Sequence, residues 1–130
     1  MHIGDNLVLL ATSLGLFQLK HFIFDFPLQT RYQLRNKGIY GHPGGILHAG
    51  LHVLGSIPAI MIVAPPLWLA ALLLAGEFGV HYHMDWTKEQ VLKKFGWTSR
   101  DYGFWQALGF DQMVHHLTYI SMAYFLFARL

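Results

Sequence analysis

Four apolar segments, each close to 20 residues long, restrict the folds open to this chain of 130 residues. A helix needs about 20 mostly apolar residues to cross a bilayer, and the segments cover residues 6–25, 46–64, 67–86 and 107–128. Phe26-Pro27 ends the first segment, and Pro65-Pro66 separates the second from the third. Proline disfavours helix at the preceding residue but is tolerated in the first turn of the next helix. The sequence therefore predicts an all-α protein with four transmembrane helices in an up-down bundle.

Composition agrees with a membrane protein of one domain over residues 1–130. Charged residues make up 12% of the chain and hydrophobic residues 54%, whereas a soluble domain carries about 25% charged residues. The basic residues form no continuous patch, which argues against nucleic acid as a partner. The absence of cysteine excludes disulfides, thiolate metal sites and thiol catalysis. We expect the lipid bilayer to be the main partner.

The distribution of Lys and Arg predicts the orientation in the membrane. Short loops rich in these residues stay in the cytoplasm, and seven basic residues lie in the two long loops: Arg31, Arg35, Lys37, Lys88, Lys93, Lys94 and Arg100. Arg129 is the basic residue expected on the opposite side. We therefore predict a multi-pass protein of the cell inner membrane with both termini outside the cytoplasm. Residues 88–105 are predicted to be an amphipathic interfacial segment between the third and fourth spans.

Each predicted span carries two ionisable residues four positions apart. The pairs are His21 and Asp25, His48 and His52, His81 and Asp85, and Asp111 and His115. Residues four apart share one face of a helix, with Cβ atoms about 6 Å apart, so each pair offers two ligands. The pairs lie where the first and third spans end and where the second and fourth begin. In an up-down bundle these ends meet at one surface, which the charge distribution identifies as cytoplasmic.

Depth along the helices predicts two levels of side chains. The outer level contains Asp25, His48, Asp85 and Asp111, and the level one turn deeper contains His21, His52, His81 and His115. Glu77 lies one further turn into the third span. We predict that it is a deep proton acceptor or orients a ligand.

Metal binding accounts best for these residue types. Imidazole and carboxylate together suit Zn, Mn or Fe, and we expect zinc, with iron or manganese as alternatives. The eight paired residues are too many for one tetrahedral ion but suit two ions, as in soluble four-helix bundles. An Asp at the centre of a membrane helix costs about 2.5 to 3.5 kcal/mol, so such residues persist where they are paired. We predict all eight as metal ligands, and the catalytic candidates are Asp25, Asp85, Asp111 and Glu77.

Some of these residues could instead have a purely structural role. Asp25 and His48 could be solvated at helix ends, and Asp85 could form a surface ion pair with Lys88 or Lys93. Two further polar residues are candidates to orient ligands by hydrogen bonds: Gln29 and Gln112.

The function that follows from a two-metal site is hydrolysis, with one ion activating water and the other polarising the substrate. We predict a lipid-linked or membrane-proximal substrate. Alternatives from other classes are a proton- or ion-conducting transporter and a non-enzymatic subunit that holds a cofactor in a larger membrane complex. Transport is disfavoured because the third span is apolar between Pro66 and Glu77. The same ligands would serve a di-iron oxidase.

Small residues form a ridge on the third span, four positions apart, at Ala71, Ala75 and Gly79. Such ridges permit close contact between membrane helices. The ridge is consistent with a homodimer, and packing within the bundle explains it equally well.

Taken together, the motifs resemble domain-of-unknown-function family 3307. They are His21-x3-Asp25-Phe26-x2-Gln29, the pair His48 and His52, His81-x3-Asp85-x2-Lys88, and Asp111-Gln112-x2-His115. The resemblance covers most of the chain and implies a small polytopic membrane protein of bacteria or their phages. It supports the topology and these positions without supplying a reaction.

Overall fold

The computed structural model describes residues 3–128, which confirm the all-α prediction. Its helices are α1 (Ile3–Asp25), α2 (Arg31–Asn36), α3 (Pro43–Met61), α4 (Leu67–Phe95) and α5 (Tyr102–Phe127). The long helices α1 and α4 each pack against both α3 and α5, and the short α2 packs against α3. Consecutive long helices are therefore neighbours, and together they enclose a common axis.

The helix ends follow from local sequence. Thr30 accepts a hydrogen bond from the backbone of Gln33, whose side chain accepts one from the Thr30 backbone, so α2 begins with a capping box. His42 accepts a hydrogen bond from the Gly44 N–H at 3.0 Å, with Pro43 in the first turn of α3. Prolines thus shape the first turns at α3 and α4.

The third predicted helix is longer in the structure, because α4 runs nine residues beyond residue 86. The expectation of a separate surface segment over residues 88–105 is wrong: residues 88–95 continue α4, and Tyr102 begins α5. Residues 88–94 are mostly good helix formers. Gly96 ends the helix with φ 64°, a left-handed conformation that glycine adopts without strain.

Fewer helices than the sequence predicted have the length and apolar composition of a membrane span. Within residues 3–128, two helical segments are long and apolar enough to cross a membrane, Gly4–Asp25 and Pro43–Met61. The helices α4 and α5 do not meet the same test, because both contain many polar site residues in addition to apolar ones. Arg129, on which the predicted orientation partly depends, lies outside the described residues.

The interior of the bundle divides into two halves. The apolar half is the cluster of Phe17, Ala59, Ile60, Leu69, Leu73, Tyr119, Met122 and Leu126. The polar half contains the buried ionisable side chains, which come from the end of α1, the start of α3, the middle of α4 and the start of α5. Antiparallel neighbours place these four regions at one end of the bundle.

The ridge of small residues on α4 faces away from the bundle. Ala71 and Ala75 are exposed, and a Cβ added to Gly79 would meet no atom of the described residues within 4 Å. Packing within the bundle therefore does not account for this ridge.

Candidate metal centre

The structure brings the eight sequence-predicted ligands together in the polar half. One pair comes from each long helix, as the i, i+4 spacing requires. The side chain of Asp25 is 7% exposed, and the other seven residues are at most 3% exposed. They are therefore buried side chains, which rules out solvation at a helix end for His48.

The four deeper histidines form a closed ring. Ring centroids are 5.5 Å apart between His21 and His52 and 3.9 Å apart between His52 and His81. They are 4.0 Å apart between His81 and His115 and 5.3 Å apart between His115 and His21. These contacts agree with the prediction that the four side chains lie at one depth along the bundle.

One group of ligand atoms comprises Asp25, His48, His52 and His81, and each atom lies within 4.8 Å of the others. Asp25 Oδ1 lies 3.0 Å from His52 Nε2 and 3.1 Å from His48 Nε2. His48 Nε2 and His81 Nε2 are 3.3 Å apart. Ligands at 2.0–2.1 Å from a tetrahedral ion are separated by about 3.3 Å. The group therefore has the spacing of a metal site.

A second group comprises His81, Asp85 and His115. His115 Nε2 lies 3.6 Å from Asp85 Oδ1, and 3.2 Å from Asp111 Oδ1. Asp85 Oδ2 also lies 3.1 Å from His48 Nε2. The second group thus adjoins the first, with His81 common to both and Asp111 at its edge.

Within the described part of the chain, His81 Nδ1 is buried without a hydrogen-bond partner. Three further buried ligand atoms lie at 3.1 to 3.2 Å from another proposed ligand without the geometry of a good hydrogen bond: Asp85 Oδ2, Asp111 Oδ1 and His115 Nε2. A buried polar atom without a partner costs about 1 to 3 kcal/mol. Carboxylate oxygens and imidazole nitrogens are also the donors that zinc, manganese and iron accept. The donor set therefore fits a cation.

His21 has other partners and lies outside both groups. Its Nε2 is 2.8 Å from Gln112 Oε1, and its Nδ1 is 3.1 Å from the Tyr119 hydroxyl. Gln112 Nε2 donates to Asp25 Oδ2 at 3.1 Å and to Asp111 Oδ2 at 3.3 Å. His21 and Gln112 are thus placed to orient the carboxylates. The Gln29 amide lies 3.2 Å from His48 Nε2.

Glu77 pairs with Lys20, a residue that the sequence reasoning missed. Lys20 Nζ also donates to the His52 carbonyl at 3.0 Å, and the Ser56 hydroxyl donates to Glu77 Oε1 at 2.9 Å. A lysine inside an apolar span requires a partner. That requirement, together with an unmatched Glu77 in another span, is the signal that could have identified the pair.

Two lysines expected in cytoplasmic loops are buried at the site. Lys37 Nζ lies 3.6 Å from Asp85 Oδ2, and Lys88 Nζ lies 3.5 Å from Asp111 Oδ2 and 3.8 Å from Asp85 Oδ1. Burial lowers the pKa of Lys88, but the carboxylates of Asp85, Asp111 and Glu89 outweigh it, so the net shift is upward and Lys88 is protonated at neutral pH. The surface pair considered for Asp85 is therefore a buried one, and Lys93 instead donates to the Gly38 carbonyl at 3.4 Å.

A cavity of about 530 Å³ opens beside the outer carboxylates. Asp25, Asp111 and Gln112 line it on the side of the site, and Lys37 and Lys88 line it as well. Asp85 and Glu77 do not line this cavity. Of the four catalytic candidates, Asp25 and Asp111 are therefore the two that a molecule in the cavity reaches directly.

Comparison with known proteins identifies one family. The family model described as "Protein of unknown function (DUF3307)" matches residues 14–129, which include every residue of the candidate metal centre. No curated protein and no solved structure matches the chain. The resemblance drawn from the motifs is confirmed.

Proposed function

The chain belongs to the DUF3307 family, and from its site we propose that it is an integral membrane metalloprotein that hydrolyses a lipid-linked or membrane-proximal substrate. The observation that carries this proposal is the spacing of ligand atoms around Asp25, with histidine nitrogens at 3.0 and 3.1 Å. One ion is proposed to bind Asp25, His48, His52 and His81. The second position is proposed to use Asp85, Asp111 and His115.

The donor set guides the choice of metal. Three imidazoles and one carboxylate form a four-ligand nitrogen and oxygen set, which is typical of zinc, and the carboxylate-rich second position also suits manganese or iron. When bound, the ions supply a water of lowered pKa and polarise the bond that is cleaved.

Asp111 is the residue best placed to move protons. Its carboxylate lines the cavity, whereas Glu77 is held in the pair with Lys20 one level deeper. In the proposed step, the water oxygen bonds to the electrophilic atom of an ester while the Asp111 oxygen that does not hold the ion accepts one water proton. The ester bond breaks, and the leaving oxygen takes that proton from Asp111 to form an alcohol. Asp111 ends the cycle as it began, and one water is consumed.

The packing beyond the site favours an enzyme over an ion-conducting transporter. The buried charges end at Lys20, Glu77 and the Ser56 hydroxyl. The apolar half follows directly, with Phe17 stacked on Tyr119 at a centroid separation of 5.4 Å. An ion crossing this half would be stripped of its hydration without replacement ligands.

The outer surface of the bundle supports a membrane location with four spans. Large apolar side chains are exposed on all four long helices, including α4 and α5: Leu7, Val8, Leu54, Met61, Leu67, Leu72, Tyr124 and Phe125. An exposed apolar surface of this extent suits lipid rather than water. We propose the cell inner membrane, with both termini outside the cytoplasm. A cytoplasm-only reporter fused at residues 96–101 should be active, and one fused at the C-terminus should be inactive; the reverse result contradicts this orientation.

Elemental analysis of detergent-purified protein tests the metal centre. Wild type purified without chelator should contain about one to two zinc, manganese or iron ions per chain, and His81→Ala and Asp111→Ala should lose one or both. His83→Ala is the matched control, because His83 lies on the same helix but is exposed. Folded wild type that holds no metal and cannot be loaded with any would overturn the proposal. Metal-dependent release of nitrophenol from a nitrophenyl phosphate ester then tests hydrolysis.

A further inference from the structure

The cavity beside the metal centre has walls of two chemical kinds. Lys37 and Lys88 lie on its polar wall next to Asp111, and the carboxylate of Glu89 lines the same wall. Its apolar wall consists of Phe26, Leu34, Leu92, Phe104 and Leu108. A molecule that fills this space therefore meets cationic and apolar surfaces at once.

The charges at the site favour an anion once two divalent ions are bound. The polar half buries four carboxylates against three ammonium groups: Asp25, Glu77, Asp85 and Asp111 with Lys20, Lys37 and Lys88. Glu89 adds a fifth carboxylate, which lines the cavity and lies 3.6 Å from Lys88 Nζ. The five carboxylates and three ammonium groups carry two excess negative charges, so one divalent ion leaves the set neutral and a second leaves two excess positive charges. Uncompensated charge in an apolar surrounding is costly. A bound anion lowers that cost.

The two lysines are placed to receive this anion. Both ammonium groups contact Asp85, at 3.6 Å for Lys37 and 3.8 Å for Lys88, so they lie close to one another. Cations on Asp85 and Asp111 would compete with the lysines for these carboxylates. The Lys37 ammonium would then be free to bind an anion in the cavity. The Lys88 ammonium keeps its contact with Glu89 at 3.6 Å and has further N–H groups to donate. Lysine is a common ligand of phosphate oxygens.

The apolar wall continues onto the outer surface of the bundle. Phe26 is 54% exposed and stacks against Phe22, with ring centroids 5.7 Å apart. Phe22 is itself 57% exposed on α1. An apolar chain attached to an anion in the cavity thus has a continuous apolar path over Phe26 to the surface proposed to face lipid.

We propose that this cavity binds the phosphate-bearing head group of a membrane amphiphile, with Lys37 and Lys88 contacting the phosphate and the hydrocarbon chain passing over Phe26. The inference rests on the proposed function, since two bound divalent ions make the site positive. The bond cleaved is the phosphate ester bond. The oxygen of water bonds to phosphorus, and the ester oxygen leaves with a proton as the alcohol.

Two phosphonates test this proposal, because their carbon–phosphorus bond resists hydrolysis. Zinc-loaded protein in an uncharged detergent is titrated with dodecylphosphonate and with methylphosphonate, and binding is followed by phosphorus NMR. We expect dodecylphosphonate to bind at least about tenfold more tightly, because each buried methylene adds to affinity. Equal affinity for the two probes would identify a site for free phosphate and overturn the amphiphile proposal.

Lysine variants decide whether the dodecyl probe binds in this cavity. Lys37→Gln and Lys88→Gln should each weaken its binding about tenfold, whereas Lys37→Arg and Lys88→Arg should retain it. Lys93→Gln is the matched control, since it removes the same charge at an exposed position outside the cavity wall. Binding unaffected by the glutamine variants, or weakened equally by Lys93→Gln, overturns the proposal. If the glutamine variants do not fold, the wild-type comparison of the two probes decides.

Metal content measured on the same samples separates the two proposals. Protein that holds metal but binds dodecylphosphonate independently of Lys37 and Lys88 contradicts the amphiphile site and leaves the metal centre intact. Protein without metal that still binds the probe through these lysines contradicts the proposed function and supports the anion site.

Discussion

In the apolar half of the bundle, Phe17, Ile60 and Tyr119 are at most 1% exposed and pack with other apolar side chains. In the polar half, the same four helices bury histidines, carboxylates and lysines at similar depth. Apolar burial stabilises the first half without any further component. The second half contains buried ligand atoms that lie against other ligand atoms, such as Asp85 Oδ2 at 3.1 Å from His48 Nε2 and His115 Nε2 at 3.2 Å from Asp111 Oδ1.

Stability and function are thus separated along one bundle. Changes in the apolar half should alter the free energy of unfolding and leave metal binding intact. Changes in the polar half should alter both, because a ligand that binds only the folded state adds its binding free energy to stability. This separation can be tested at individual residues in each half.

The largest change in the free energy of unfolding is expected at the Lys20 and Glu77 pair, where the two halves meet. Lys20→Met leaves the Glu77 carboxylate buried without its cation and should lower the free energy of unfolding by about 3 to 5 kcal/mol. Replacing both residues by methionine should restore most of this loss, because no unpaired charge is then buried and both side chains can pack with the apolar half. Denaturant unfolding in detergent measures both variants.

The double variant also separates structure from catalysis. It should keep its metal, since Glu77 lies one level below the proposed ligands and lines neither metal group. Loss of metal in the double variant, with the fold intact, would place Glu77 in the metal centre itself.

Features that depend on a single helix, such as ligand pairs and helix ends, could be predicted from the sequence. The ligand pairs depend only on a separation of four residues, and α1 ends at Asp25 because Phe26-Pro27 follows. The start of α4 at Leu67 follows from Pro66 in the same way. These features need no knowledge of the neighbouring helices, and the structure places all eight paired side chains at one end of the bundle.

Partners from distant parts of the chain could not be predicted in this way. Lys20 and Glu77 are 57 positions apart, and the sequence around each shows that it needs a partner of opposite charge without showing how the helices bring the two together. The sequence places Lys37 in a solvated loop, whereas the turn after α2 carries it to Asp85. Pairings of this kind depend on how the helices pack. The length of α4 could not be predicted for a different reason, since the apolar pattern weakens after residue 86 while the helix continues to Gly96.

A second prediction concerns metal and stability in the polar half. Addition of zinc to chelator-treated protein at about 100 times its dissociation constant should raise the free energy of unfolding by about 2.7 kcal/mol. Thermal unfolding should show this rise in wild type and in His83→Ala, and not in His81→Ala. An equal rise in all three proteins would mean that zinc acts outside the proposed centre.

A smaller effect is expected in the apolar half. Ile60 is 1% exposed within the apolar cluster, so Ile60→Val should cost about 1 kcal/mol through the loss of one buried methylene. Metal content and affinity should match wild type, because the apolar cluster that holds Ile60 includes none of the proposed ligands. A change in metal affinity comparable to the change in stability would show that the two halves are coupled.

The smallest effect is expected in the link between α4 and α5, which belongs to neither half. The Thr98 N–H and hydroxyl donate to Asp101 Oδ2 at 2.7 and 2.9 Å, and these bonds lower the pKa of Asp101. A carboxyl whose pKa is lower in the folded state stabilises the fold above its unfolded pKa, near 3.9, and loses this contribution as the pH falls through the folded value.

The difference in unfolding midpoint between wild type and Asp101→Asn should therefore be small at pH 6 and should shrink further below about pH 4. Asp101→Asn leaves the side chains of the polar half unchanged, so subtracting the two curves isolates the link. Their metal content should be equal at every pH, because Asp101 lies in the turn and in neither metal group. A difference that grew on acidification would mean that the ionised Asp101 destabilises the fold. A difference in metal content would mean that the turn between α4 and α5 affects the position of the ligand pair on α5, Asp111 and His115, relative to the other ligands.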